Sequence, residues 1–345
     1  MADQNRQFEL RKQEHIRLSL SSQSQASNRY AWDHYQLHHE AFPELNFDEI
    51  NLNTNIFGKV TTMPLFISSM TAGHEGGVQI NQRLAELSHN KQILMGVGSQ
   101  RKELSDSSAQ QEWKSVKKQY PKSRLMGNIG ITQVITHSPE QILKLTESLQ
   151  AEALIVHTNP LQEALQVEGT PQFRGGLAAL EKLVKLSSVP IVVKEVGSGL
   201  GPQTLIRLQN IGVEIADISG KSGTHWGRIE GLRSNNEIYE KASGHFNEWG
   251  YFSLDVLEQV QVQSLKMKKW VSGGVRSGVD AAKALALGAE MVGTARPWLE
   301  AAILSSEALE KLYAQFELEL KTSLFCTGAK TIQDLKGRIS KATLS

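Results

Sequence analysis

Trp270-Val271-Ser272-Gly273-Gly274-Val275-Arg276-Ser277-Gly278 and Met291-Val292-Gly293-Thr294-Ala295-Arg296-Pro297 share one construction. In each, a short apolar run breaks into a small-residue turn that carries an arginine, and a helix pattern follows. In a (β/α)8 barrel the loops after the seventh and eighth strands commonly form a phosphate site at helix N-termini. Glycine lets backbone N–H groups approach phosphate oxygens, and arginine adds a charge-assisted fork.

Working outward, short apolar runs alternate with amphipathic runs from Pro64 onward. The apolar runs are Leu65–Ser68, Ile93–Val97, Leu125–Ile129, Ala153–Val156, Ile191–Lys194, Glu214–Ile218, Lys269–Ser272 and Met291–Gly293. Near-continuous apolar character is expected of parallel strands buried on both faces. Helical spacing fills the gaps: Ile142, Leu145 and Leu149 share a face, with Ser138 as N-cap and Pro139 at the first helical position. Leu177, Leu180, Leu183 and Val184 repeat the period before Pro190, Leu205, Leu208 and Ile211 before Gly212, and Ala281, Leu285 and Leu287 before Gly288. Eight such units with right-handed crossovers close into an α/β (β/α)8 TIM barrel; a doubly wound open sheet is the alternative. Residues 1–60 lack a strong period and read as an N-terminal arm and cap of the same domain, with the barrel over 61–345.

Composition bounds the partners. Hydrophobic residues make up 40% and charged residues 21%, and the formal net charge is +1. That balance sets up no global field toward nucleic acid or an anionic membrane. The lone cysteine, Cys326, allows no internal disulfide and no thiolate metal cage. Without a signal-peptide core or a membrane-length apolar run, the expectation is a soluble cytoplasmic protein.

Polar residues recur where the strands end, the rim at which barrel active sites are built: Ser68-Ser69-Met70-Thr71, Gly98-Ser99-Gln100-Arg101, Asn128, His157-Thr158-Asn159, Lys194-Glu195 and Ser219 to Thr224. Lys194 reads as a cation facing an electron-rich cofactor ring, as a Schiff-base amine, or as a rim lysine paired with Glu195. Glu163 reads as a one-carboxylate Mg²⁺ ligand or as a helix N-terminal carboxylate. Arg11-Lys12, with His15 one turn on, suits a diphosphate or a solvated basic turn. Met70, Trp226 and Trp298 either wall a pocket or fill core.

Arg11-Lys12 with His15, Ser68 to Thr71, Gly96 to Arg101, His157-Thr158-Asn159-Pro160-Leu161-Gln162-Glu163, Asp217 to Thr224 and Ser272 to Arg276 together resemble the type 2 isopentenyl diphosphate isomerases. The likeness runs from about Phe8 to Lys336 in the family's order and spacing. The C-terminal phosphate loops are shared with other FMN barrels, whereas the basic arm and the His157–Glu163 block are more specific. Ala72 stands where many members carry glycine, and His225 to Arg228 is a variable stretch.

The resemblance implies an FMN enzyme that interconverts isopentenyl and dimethylallyl diphosphate, with Mg²⁺ and NADPH as reductant, assembled as a homotetramer or larger homo-oligomer. It places the FMN phosphate on Gly274, Val275, Arg276, Ala295 and Arg296. Ser68, Ser69, Met70, Thr71, Ser99, Asn128, Lys194, Ser219 and Thr224 would surround the ring and ribityl chain. Substrate diphosphate would meet Arg11, Lys12, Ser99, Gln100 and Arg101, with Gln162 also binding substrate and Glu163 holding Mg²⁺. His157, Asn159 and Gln162 would face the reacting end. Allylic isomerisation adds one proton and removes another, so the reduced flavin is expected to serve acid–base chemistry rather than hydride donation.

Two other functions fit parts of the pattern. An FMN-dependent 2-hydroxy-acid oxidoreductase on the same barrel needs a histidine base after the sixth strand, for which His225 is the candidate, and carboxylate-binding arginines such as Arg228 and Arg233. A non-catalytic phosphate-ligand binder needs fewer convergent polar strand ends.

Overall fold

Eight parallel strands hydrogen-bond in a closed ring: Leu65–Ile67 (β1), Leu94–Gly96 (β2), Arg124–Gly130 (β3), Ala153–Thr158 (β4), Ile191–Glu195 (β5), Ile215–Asp217 (β6), Lys268–Val271 (β7) and Met291–Thr294 (β8). The structure is a computed structural model that describes residues 2–26, 30–70, 75–261, 263 and 265–342, without the side chains of 2–9, 30, 31, 75 and 107. Each apolar run read from the sequence is a strand of this ring, and the open sheet is ruled out because β6 pairs onward to β7, and β8 to β1.

Side chains two apart on a strand share a face, and the barrel uses this on every strand. Phe66, Leu94, Met126, Ile155, Val192, Ile215, Trp270 and Met291 form a buried cluster inside the ring. Burying a side chain of this size stabilises the fold by roughly 1.5–3 kcal/mol. Trp270 and Phe66 fill the lumen with ring centroids 5.0 Å apart. The intervening residues, such as Leu65, Ile67, Leu154 and Val193, face outward into a second cluster shared with the surrounding helices.

A hairpin plugs the N-terminal end of the barrel. Strands Thr54–Ile56 and Lys59–Thr61 pair antiparallel around Phe57 and Gly58, both at positive φ (53° and 73°), as a tight hairpin turn requires. Ile56 joins the luminal cluster and Phe57 packs on Trp270. Arg124 at the start of β3 locks the plug: its Nη2 donates to Ile56 O (2.9 Å) and to Glu152 Oε2 (2.8 Å), and its Nη1 donates to Val60 O (3.3 Å).

The helices follow their caps. Pro139–Leu149 starts on a capping box in which Ser138 Oγ accepts from Gln141 N–H and Gln141 Oε1 accepts from Ser138 N–H. Ile142, Leu145 and Leu149 are buried as expected. Leu177 is not: it is exposed, while Leu180 and Leu183 carry the buried face of Gly176–Leu186. Leu177 sits in the first turn of that helix, which packs against the neighbouring helices Ile131–Thr136 and Pro139–Leu149.

The arm is a helix over Ala2–Leu20 lying across the mouth of its own barrel. Beyond it, Ala26 N–H donates to Gly223 O (2.9 Å) and His225 N–H to Ser24 O (2.8 Å), stitching the arm to the loop after β6. Strand Tyr35–Leu37 then pairs with Ile339–Lys341 near the other end of the chain.

Arg124 is almost fully buried and Glu152 nearly so. Arg124→Ala would leave two plug carbonyls without their Arg124 donor and the nearly buried Glu152 carboxylate with Lys59 Nζ (2.9 Å) as its remaining cation, and urea unfolding should show a loss of about 3–5 kcal/mol. A loss typical of a surface pair would refute the plug-locking role.

Candidate active site

Above the apolar lumen layer, the next inward position on each strand is polar or glycine: Ser68, Gly96, Asn128, His157, Lys194, Asp217, Ser272 and Gly293. Lys194 stands opposite His157 on one side and Asp217 on the other. Its Nζ donates to Asp217 Oδ2 (2.6 Å), Ser272 Oγ (2.8 Å) and Ser219 Oγ (2.9 Å). All three ammonium protons have acceptors, so the group is a fixed buried cation. A Schiff base, which needs a free neutral amine, does not fit. Glu195 is not its partner, because adjacent strand residues point to opposite faces. Glu195 Oε2 instead collects the N–H groups of Gly197 (2.6 Å), Ser198 and Gly199 (2.9 Å). Sequence reading passed over Asp217 as a site residue, although its spacing of two from luminal Ile215 would have revealed it.

This floor opens into a cavity of about 850 Å³. One end is the turn after β7. Gly273 and Gly274 take φ of 90° and 82°, and a Cβ on either would collide with the loop after β6: Gly220 O at 1.9 Å and Ser222 Cβ at 2.6 Å, respectively. Arg276 Nη2 donates to Ser222 O (3.4 Å). Ala295 and Arg296 open the helix Arg296–Leu304 at the same end, and Arg296 Nη2 donates to Leu20 O of the arm (3.1 Å).

At the other end, the arm brings Arg11 and Lys12 toward Arg101. Burial, then the like charges of Arg11 and Arg101, pushes Lys12 down to about 8 against the opposing Glu230. Arg11 Nη1 lies 3.9 Å from Glu168 Oε1, and His15 Nε2 lies 3.0 Å from Glu230 Oε1. Glu230, absent from the sequence-read site, is a hub: it accepts from Gln162 Nε2 (2.7 Å) and from Arg233 Nε (3.0 Å). Burial raises its carboxyl, but the contacts with His15 and Gln162 and the Arg233 charge outweigh burial and hold it below the usual range.

Between the ends stand His157, Asn159, Gln162 and Glu163. Asn128 Nδ2 donates to Val97 O (3.1 Å), which turns Asn128 Oδ1 toward His157 Nδ1 at 2.9 Å. The proton on His157 therefore sits on Nδ1. Burial, then Lys12 and Lys194, lowers this imidazole to about 4, so it is neutral at neutral pH. Asn159 Nδ2 donates to Gln162 Oε1 (3.0 Å) and Glu163 Oε1 (3.1 Å), and Thr170 N–H donates to Glu163 Oε2 (2.7 Å).

Ser68, Ser69, Met70, Ser99, Ser219, Thr224, Val275 and Trp226 also line the cavity. Thr71 lies outside the described residues. Trp298 is core, stacked on Phe316 at 5.4 Å. Gln100 is not brought to the cavity: it is buried behind Asn128, because the single helical turn it starts points it inward while Arg101 points out. His225 is a helix N-cap. Its Nδ1 accepts from Arg228 N–H (2.9 Å) and its Nε2–H donates to Phe246 O (2.8 Å). Both ring nitrogens are used, Arg228 bonds Glu240 O and Ser243, and Arg233 bonds Glu230 and Glu168. The hydroxy-acid oxidoreductase reading is left without its base and its arginines.

The residues fit the FMN that the resemblance implies. The glycine cradle suits one phosphate, and the buried Ser68 and Ser69 hydroxyls have no protein partner and open toward the cavity. Among the described residues no three His, Cys, Asp or Glu side chains come together as a metal cage. Glu163 alone fits Mg²⁺, which usually takes one or two carboxylates plus substrate oxygens and water. Among the described residues no helix is long and apolar enough to cross a membrane.

Comparison with known proteins agrees with this geometry. The family described as FMN-dependent dehydrogenase matches residues 122–341. A Bdellovibrio bacteriovorus protein named isopentenyl-diphosphate delta-isomerase is 50% identical over 343 residues, 98% of this chain and 99% of that one. One of the same name from Legionella pneumophila (strain Lens) is 45% identical over 337 residues, covering 97% and 98%. An oxidised (S)-mandelate dehydrogenase structure shares the fold at a TM-score of 0.69 and 15% identity, covering 96% of this chain and 99% of that one. With its glycine cradle at one end of the cavity and its basic arm at the other, the chain belongs to the isopentenyl-diphosphate delta-isomerase family, built on the barrel of the FMN-dependent dehydrogenases.

Proposed function

We propose that this chain interconverts isopentenyl diphosphate and dimethylallyl diphosphate using FMN, with NADPH as the reductant and Mg²⁺ on Glu163. The observation that carries the reading is one cavity with a glycine–arginine turn at one end and a cluster of basic side chains from the arm and Arg101 at the other. The Gly273–Gly274 cradle with Arg276 and Ala295–Arg296 suits the single phosphate of the cofactor. Arg11, Lys12 and Arg101, whose like charges repel across a buried space, suit a substrate diphosphate. Assembly as a homotetramer or larger, in the cytoplasm, is part of the proposal and rests on the family resemblance.

Reduced FMN, when bound, supplies an electron-rich face and an exchangeable ring proton. The chain's own groups then divide the work. Arg11, Lys12 and Arg101 neutralise the diphosphate, and Glu163 gives its metal one carboxylate. His157 offers an unprotonated Nε2, which accepts a proton readily only if the substrate draws near, since burial opposes its charge. Gln162 is held from both sides by Asn159 and Glu230 and is a poor acid, so it positions the reacting end. Met70 and Trp226 keep water from the alkene.

Flavin-loaded protein reduced anaerobically and given isopentenyl diphosphate with Mg²⁺ in D₂O should yield deuterium-bearing dimethylallyl diphosphate without stoichiometric NADPH consumption. NADPH oxidation in step with product would overturn the reading.

The pH profile follows from Lys12. Its cation is lost as pH rises through about 8, so kcat/KM for isopentenyl diphosphate should fall there, this ratio reporting the free enzyme. Lys12→Arg, always charged, should move that limb upward; an unmoved limb would exclude Lys12 from diphosphate binding.

Gly274→Ala adds a Cβ at positive φ against Ser222. Strain of about 1–3 kcal/mol corresponds to flavin retention weaker by roughly tenfold or more, read from the flavin-to-protein absorbance ratio after dialysis. Full retention would place the cofactor phosphate elsewhere.

A further inference from the structure

We infer that Gln100 and Glu103 are positioning residues that, through Asn128, keep the proton of His157 on Nδ1 and so leave Nε2 as the acceptor in the cavity. The resemblance gives Gln100 a substrate contact; the geometry points to this different role, which rests on the isomerase reading only for its kinetic consequence.

The pair sits on the short 3-10 helix Gln100–Leu104. Residues three apart eclipse on such a helix, so Gln100 and Glu103 stack on its inner face, both buried, while Arg101 is exposed at the cavity. One turn thus carries a diphosphate-binding cation on one side and a buried bracket on the other.

Every polar contact of the bracket has a defined direction. Gln100 Nε2 donates to Glu103 Oε2 (2.9 Å) and to Leu145 O (3.2 Å), which forces its Oε1 toward Asn128 N–H at 3.1 Å. Asn128 in turn spans Val97 O and His157 Nδ1. Gln100 thus holds the main chain of Asn128 from behind, and the Asn128 side chain, held by Val97 O, meets the imidazole; the link from the turn of Arg101 to His157 runs through the backbone position of Asn128 on β3. Gly127 makes room for it, since a Cβ there would lie 2.9 Å from Gln100 Oε1. Glu103 is also adapted to this place. Burial pushes its carboxyl up to about 7, against the lowering bond from Gln100 and with the Glu112 carboxylate near. Without Gln100 it can take a proton rather than remain a buried charge, so the fold tolerates removal of the amide.

The test uses the flavin-loaded enzyme with nitrogen-labelled histidine, the His157 signals being assigned by their loss in His157→Gln. In Gln100→Met the Nδ1–H signature of His157 should give way to a tautomer mixture, and kcat should fall on the order of a hundredfold with KM nearly unchanged. Glu103→Leu, which removes the acceptor of Gln100, should shift the tautomer in the same direction. Glu103→Gln, which can still accept that bond, should restore both the Nδ1–H signal and kcat. An unchanged tautomer in Gln100→Met overturns the inference, as does a raised KM at constant kcat, the mark of a direct substrate contact. If Gln100→Met does not fold, an unchanged tautomer in Glu103→Leu overturns it equally. An enzyme without isomerase activity would void the kinetic arm alone, since the NMR signal needs no turnover.

Discussion

A closed ring of eight short strands turns alternate side chains into a lumen too narrow for solvent. Everything else in this protein follows from how the chain fills it. Each strand places one apolar residue low in the lumen and, two positions later, a polar residue or glycine at the top. The apolar layer, sealed below by the Ile56–Phe57 plug, supplies a rigid floor. The polar layer faces the cavity, and several of its members bond one another, Lys194 with Asp217, Ser219 and Ser272 being the densest knot. Breaking one member would strand a buried charge, which is why such a knot holds its geometry.

Charge in the site is divided by distance. The glycine cradle uses backbone amides and an arginine already bonded to the neighbouring loop, and is complete within the barrel. The opposite end is complete only when the arm lies over the mouth, because Arg11 and Lys12 come from it. Closing the arm buries like charges beside Arg101, and Glu168 and Glu230 offset part of that cost.

The barrel was legible from residues because its signals are local. Eight apolar runs, Ser138-Pro139 at a helix start and glycines after helix ends each report on a few neighbouring positions. Leu177 shows the limit: it has the right spacing, yet it is exposed while Leu180 and Leu183 carry the buried face. The site was legible in part. Its polar strand ends announce themselves as exceptions in apolar runs. Asp217 and Glu230 do not, since each is an ordinary acidic residue until the fold sets it against a cation. Gln100 shows the opposite error, its neighbours in the sequence pointing to the cavity while its own side chain turns away.

By itself, then, the sequence determined which segments are strands, that they close into a barrel, where the rim lies, and that a basic turn near residue 11 and a glycine–arginine turn near residue 274 are candidates for holding anions. Those properties depend on periodicity and on backbone permissions that a few adjacent residues carry. Only the tertiary structure decided which groups meet: that Lys194 pairs with Asp217 rather than Glu195, that His225 caps a helix instead of serving as a base, and that Gln100 turns inward to the main-chain N–H of Asn128. Partnerships of this kind join residues far apart in the chain, and their direction is set by which face of a strand or turn each side chain occupies.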